Sequence, residues 1–143
     1  MVLTLLVQCL SSTCTTMSKR ARVAPASEVD VLHFARQIME KDPFKARAPR
    51  EEDRNFRTMF GCCAAVVLVL WNMLEEHDLT PEDGTILQLL WTLSYCKTYP
   101  KWKTMRQLTG GKDPKTLRKW IDSFTESISR LECYVVSTRT TRN

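Results

Sequence analysis

The residues best placed to do chemistry gather between Tyr99 and Trp120, which reads YPKWKTMRQLTGGKDPKTLRKW. Seven cations fall there (Lys101, Lys103, Arg106, Lys112, Lys115, Arg118, Lys119) against one acid, Asp113. Seven less one is +6, where the whole chain of 143 residues carries +5. All of the excess positive charge is therefore local, and a local excess points to an anionic partner more firmly than a net charge does. The pattern around it is two helices joined by a double glycine, the second opening on Asp113-Pro114. A basic second helix after a tight turn is what a helix-turn-helix needs to approach phosphates and base edges together.

Other chemistries find no support. Six cysteines (Cys9, Cys14, Cys62, Cys63, Cys96, Cys133) include no Cys-x-x-Cys pair, and His33 and His77 stand apart from them, so no metal spacing is readable. Cys62, Cys63 and Cys96 lie in apolar stretches, where free cysteine behaves as a small buried hydrophobe, which suggests reduced thiols in an intracellular protein. There is no nucleophile motif, phosphate loop or His-carboxylate cluster. The expectation is a protein without enzymatic activity and without a cofactor or small-molecule substrate.

The elements that must position the basic window read as helices. With 43% hydrophobic residues and four glycines, the composition suits one compact helical domain. Met1 to Leu10 is apolar but has no basic start and runs into Ser/Thr-rich sequence, so 1–26 reads as a disordered leader rather than a signal peptide. Met17 is an alternative start, and Lys19, Arg20 and Arg22 form a minimal basic cluster consistent with nuclear targeting. Ser27 can cap a first helix with Val31, Phe34 and Ile38 on one side, ending at Pro43; 27–50 is then a helix plus linker. The domain proper is expected at 51–132, and 133–143 as a disordered tail.

Within that domain Glu51, Glu52 and Asp53 favour a helix start and Gly61 a stop. Thr58 to Leu74 is a run of 17 residues without a charge, short for a bilayer span. Asn72 and the charged Glu75-Glu76-His77-Asp78 that follow favour a central core helix over a membrane segment or a strand. Turn chemistry at Pro81 to Gly84 precedes another helix through Ile86, Leu89, Leu90 and Leu93, with Trp91 and Tyr95 in the core. The fold class is all-α: a small helical bundle ending in a helix-turn-helix.

In that last unit Trp102, Met105 and Leu108 supply the buried face of a short helix, with Lys103, Arg106 and Gln107 outward. Gly110 and Gly111 allow the positive φ that ends it, Asp113 can cap the next helix, and Pro114 suits its first position. Leu117, Trp120, Ile121, Phe124, Ile128 and Leu131 then form one apolar stripe. The opposite side shows Lys115, Lys119, Asp122 and Glu126, basic at the start and acidic at the end. Lys115, Thr116 and Lys119 are placed for a DNA groove entered N-terminus first, while Lys112 and Arg118 suit phosphates. With Lys103 and Arg106 these make up the expected DNA-binding set.

The order of segments resembles a known family. Phe56-Arg57-Thr58-Met59-Phe60-Gly61, then Leu70-Trp71-Asn72-Met73-Leu74, then Leu89-Leu90-Trp91-Thr92-Leu93, and finally Leu108-Thr109-Gly110 with Asp113 to Trp120, resemble the N-terminal domain of PIF/Harbinger-like DDE transposases. The likeness covers Glu51 to Leu131. It implies a helix-turn-helix that binds double-stranded transposon DNA ahead of an RNase-H-like catalytic domain with an acidic, metal-binding triad. After Glu132 the chain holds no Asp or Glu, so the expectation is a non-catalytic, truncated DNA-binding portion. The competing expectation is an all-helical protein-interaction module whose apolar helix, Cys62 to Leu74, is covered by a partner.

Overall fold

The computed structural model describes residues 26–41 and 52–140, and every regular element among them is α-helical. They are α1 (Glu28–Met39), α2 (Glu52–Phe60), α3 (Ala64–Glu76), α4 (Ile86–Thr98), α5 (Trp102–Leu108) and α6 (Pro114–Thr140). The leader, the linker at 42–50 and the last three residues lie outside the described residues.

Local chemistry sets the helix starts. At α1 the Ser27 hydroxyl accepts from the Asp30 N–H at 3.3 Å, and the Asp30 carboxylate accepts from the Ser27 N–H at 2.8 Å, a reciprocal capping box. That backbone bond, then the Ser27 hydroxyl, holds the Asp30 carboxyl below its usual range. Thr85 and Gln88 repeat the arrangement at α4, where the Thr85 N–H donates to the Gln88 amide oxygen at 2.8 Å.

The centre of the bundle is α4. It packs against α1, α2 and α6, and Ile86, Leu89, Leu90, Trp91, Leu93 and even Thr92 and Ser94 are buried. A helix apolar on nearly all sides needs neighbours on nearly all sides. The more apolar α3 is a core helix, as expected, but has fewer helix neighbours than α4: Val67, Leu70, Trp71 and Leu74 face inward while Val66, Leu68, Val69 and Met73 are half-buried. Hydropathy alone does not show which helix is central, because it does not count packing partners. No single helix among the described residues is long and apolar enough to cross a membrane; α2 and α3 reach that composition only together, bent by 48°.

Two boundaries differ from the sequence reading. The helix assigned to a flanking segment, α1, belongs to the core: Val31, Ala35 and Ile38 are buried, and α1 packs on α3 and α4. It is tied to α2 by Arg36, whose Nε and Nη2 donate to the Glu52 carboxylate at 2.6 and 3.3 Å. The stretch from Cys133, expected as a tail, continues α6 to Thr140. Beyond the last buried residue, Leu131, Tyr134 stacks on His77 at 4.5 Å, and the Ser137 hydroxyl donates to the Cys133 carbonyl at 2.7 Å. Extending a nucleated helix costs far less than starting one, so modest contacts carry it past Leu131.

Cys62, Cys63, Cys96 and Cys133 are free thiols. Burial, followed by the neighbouring Cys63, pushes the Cys62 thiol up to about 12, which makes it a core residue rather than a nucleophile.

Candidate nucleic-acid interface

The basic window is assembled by three helix ends. Pro100 disfavours right-handed helical backbone at the residue before it, so α4 stops at Thr98 and Tyr99 turns left-handed, φ 44 and ψ 52. The short α5 follows and buries Met105 and Leu108. Its exit is a Schellman turn: the Gly111 N–H donates to the Arg106 carbonyl at 2.7 Å and the Gly110 N–H to the Gln107 carbonyl at 3.3 Å. Both glycines have positive φ, +75 at Gly110 and +89 at Gly111, a backbone that side chains with a Cβ rarely adopt. Thr109, buried, donates its hydroxyl to the Met105 carbonyl at 3.0 Å.

The next helix opens as its residues dictate. The Asp113 carboxylate accepts from the Lys115 N–H at 3.1 Å, and the Asp113 carbonyl takes the Leu117 N–H at 3.0 Å, so Asp113 is the cap and Pro114 occupies the first helical position. Leu117, Ile121, Phe124, Ile128 and Leu131 are buried. Phe124 lies between the rings of Trp71 and Trp120, each 6.4 Å away. Burying each of these side chains contributes about 1.5–3 kcal/mol, which roots α6 against α3 and α4.

All seven expected residues, Lys103, Arg106, Lys112, Lys115, Thr116, Arg118 and Lys119, are exposed. Lys115 and Lys119, four apart on α6, share one side. Arg118 turns toward α5, with its guanidinium 5.2 Å from the centre of the Trp102 ring, and the Lys119 ammonium lies 5.6 Å over Trp120. Trp102 is itself stacked on Tyr95 at 5.4 Å. The described ion pairs, Arg36–Glu52, Arg57–Asp53 and Arg130–Glu126, all lie elsewhere. Within the window the one carboxylate, Asp113, is engaged in capping the helix start.

The structure adds a cation that sequence reading missed. A Cβ built on Gly110 meets the Lys41 ammonium at 2.9 Å, so the end of α1 brings Lys41 over the turn. Nothing local in the sequence signals this, because Lys41 and Gly110 are joined only by the packing of α1 on the bundle. A second basic feature, the open groove lined by Asp53, Arg54, Arg57, Thr58 and Lys97, is partly neutralised by the Asp53–Arg57 pair at 3.0 Å. Among the described residues no three His, Cys, Asp or Glu side chains form a group able to hold a metal ion. Compared with protein-family models, curated proteins and solved structures, the chain gives no match.

Proposed function

We propose that this protein is a non-catalytic DNA-docking module, in which the start of α6 enters a groove of duplex DNA while the cations around the α5–α6 turn hold the phosphates. The observation that carries the reading is the rim of exposed, ion-pair-free cations gathered on one capped turn, now including Lys41. Lys115, Thr116 and Lys119 contact base edges; Lys103, Arg106, Lys112 and Arg118 contact backbone. The partial positive charge at the N-terminus of α6 adds to theirs. The resemblance to the DNA-binding domain of PIF/Harbinger-like transposases motivates transposon DNA as the ligand and, with Lys19, Arg20 and Arg22, the nucleus as the place.

The competing module reading rests on α3 needing a foreign partner. Its inward residues Val67, Leu70, Trp71 and Leu74 are buried by this chain's own helices, which leaves the basic turn as the better-supported surface.

The test is a titration of the chain against duplex DNA over a range of salt. Five cations on phosphates, Lys103, Arg106, Lys112 and Arg118 with Lys41, give a slope of log affinity against log salt of about −4.5, since each contact contributes about −0.9. Lys119→Glu lowers affinity and leaves helical circular dichroism unchanged. Affinity weaker than micromolar at low salt, or a slope near zero, refutes the docking reading.

A further inference from the structure

Among the described residues Tyr99 is the most exposed of the large hydrophobics, at 76% of its free surface. Its backbone is left-handed, a conformation uncommon for any residue with a Cβ and an outlier for a bulky one. The turn explains the conformation and does not explain the residue: glycine or asparagine would end α4 at lower cost. An unfavourable residue held at an exposed, strained position is a reason to look for a use.

Its surroundings suggest one. Lys97 and Lys101 flank it, both exposed. Its ring meets Tyr95 edge-on, 5.9 Å between centres and 61° between planes, which leaves ring surface open. Tyr95 stacks on Trp102, and Trp102 lies beneath Arg118. A ladder of ring contacts thus runs from Tyr99 to the helix proposed to dock on DNA. An exposed ring among basic residues is how proteins combine base stacking with backbone attraction.

We propose that Tyr99 is a base-stacking contact and that the module favours DNA carrying an unpaired base over an intact duplex. Resting on the docking reading above, this extends it to the form of DNA preferred. In an intact duplex both faces of every internal base are already stacked; an unpaired base offers a free face at little cost.

The experiment titrates the full chain against a duplex of about two helical turns, and against the same duplex with one extra unpaired base, at two salt concentrations. The chain binds the interrupted duplex about fivefold more tightly or better, within the range one stacked base supplies. Tyr99→Asn loses that preference at both salt concentrations, because stacking releases no counterions and the salt slope stays as it was. Tyr99→Phe keeps it. Thermal stability of Tyr99→Asn stays close to that of the parent, since asparagine's tolerance of the left-handed backbone offsets the lost edge contact with Tyr95. Equal affinity for the two DNAs, an unchanged preference in Tyr99→Asn, a Tyr99→Phe as indifferent as Tyr99→Asn, or a parallel loss of stability overturns this proposal alone. Failure to bind either DNA overturns the docking reading as well.

Discussion

Trp102 pins α5 between α4 and α6, and the strength of the pin can be worked out. Its ring is stacked on Tyr95, 5.4 Å between centres and 22° between planes, and carries the Arg118 guanidinium at 5.2 Å. Trp102→Leu keeps an apolar side chain against the core and deletes both ring contacts. An aromatic pair adds about 0.5–1.5 kcal/mol beyond its buried area, and a cation over an exposed ring about 0.5–1 kcal/mol. The expected loss in urea unfolding is therefore about 1–2.5 kcal/mol. A double-mutant cycle isolates the second part: Arg118→Ala, Trp102→Leu and the pair together give a coupling of about 0.5–1 kcal/mol. The same variants separate structure from charge when titrated with DNA. Arg118→Ala reduces the salt slope by about one contact, whereas Trp102→Leu lowers affinity with the slope intact. A coupling within about 0.3 kcal/mol of zero refutes the pin, because that is the scatter expected of independent sites.

Phe124→Ala empties the site between Trp71 and Trp120 and costs about 3–5 kcal/mol in denaturant unfolding, the largest effect expected from one side chain here. Gly111→Ala meets no atom within 4 Å, so its cost of about 1–2 kcal/mol is purely that of the left-handed backbone, and Gly111→Asn, measured by thermal melting, loses less. The Arg36 hydrogen bond, with the guanidinium's charge and against the opposing effect of burial, holds the Glu52 carboxyl below its ordinary value of 4.5. A lowered folded-state value means that this contribution is complete above about pH 4.5 and is lost as pH falls through the lower folded value. An acid titration of stability followed at α1 shows that loss, and Glu52→Gln removes it.

Sequence legibility tracked how local the cause was. The α5–α6 turn was fully readable, since the double glycine, the Asp113 cap and the Pro114 start act within a few residues of themselves, and each does what its chemistry demands. The apolar stripe from Leu117 to Leu131 was readable from period alone. Centrality was not: α3 carries the more apolar run, yet α4 gathers three neighbours, and only the assembled bundle decides that. The place of α1 was hidden in the same way, and with it Lys41, whose ammonium reaches the turn across a tertiary contact. The end of α6 was hidden because Ser/Thr-rich sequence reads as tail, whereas the helix continues past Leu131, where Tyr134 stacks on His77.

The two halves of the basic surface consequently differ in what holds them. At 27 residues α6 is about 40 Å long, and its first turns, with Lys115, Thr116 and Lys119, are fixed by a buried stripe that runs well beyond them. With 7 residues α5 falls below the length at which an isolated helix persists in water. Its orientation comes from docking through Met105 and Leu108 and from the Trp102 ring. Lys103 and Arg106 are thus only as well aimed as that dock, while Arg118 both charges the surface and holds α5 in place. On the proposed docking to DNA, loosening the dock changes the angle between the contacts of α5 and those of α6 and leaves their number the same. For such a surface, affinity and salt slope report different things: the slope counts cations, and affinity at a given slope measures how well the core aims them.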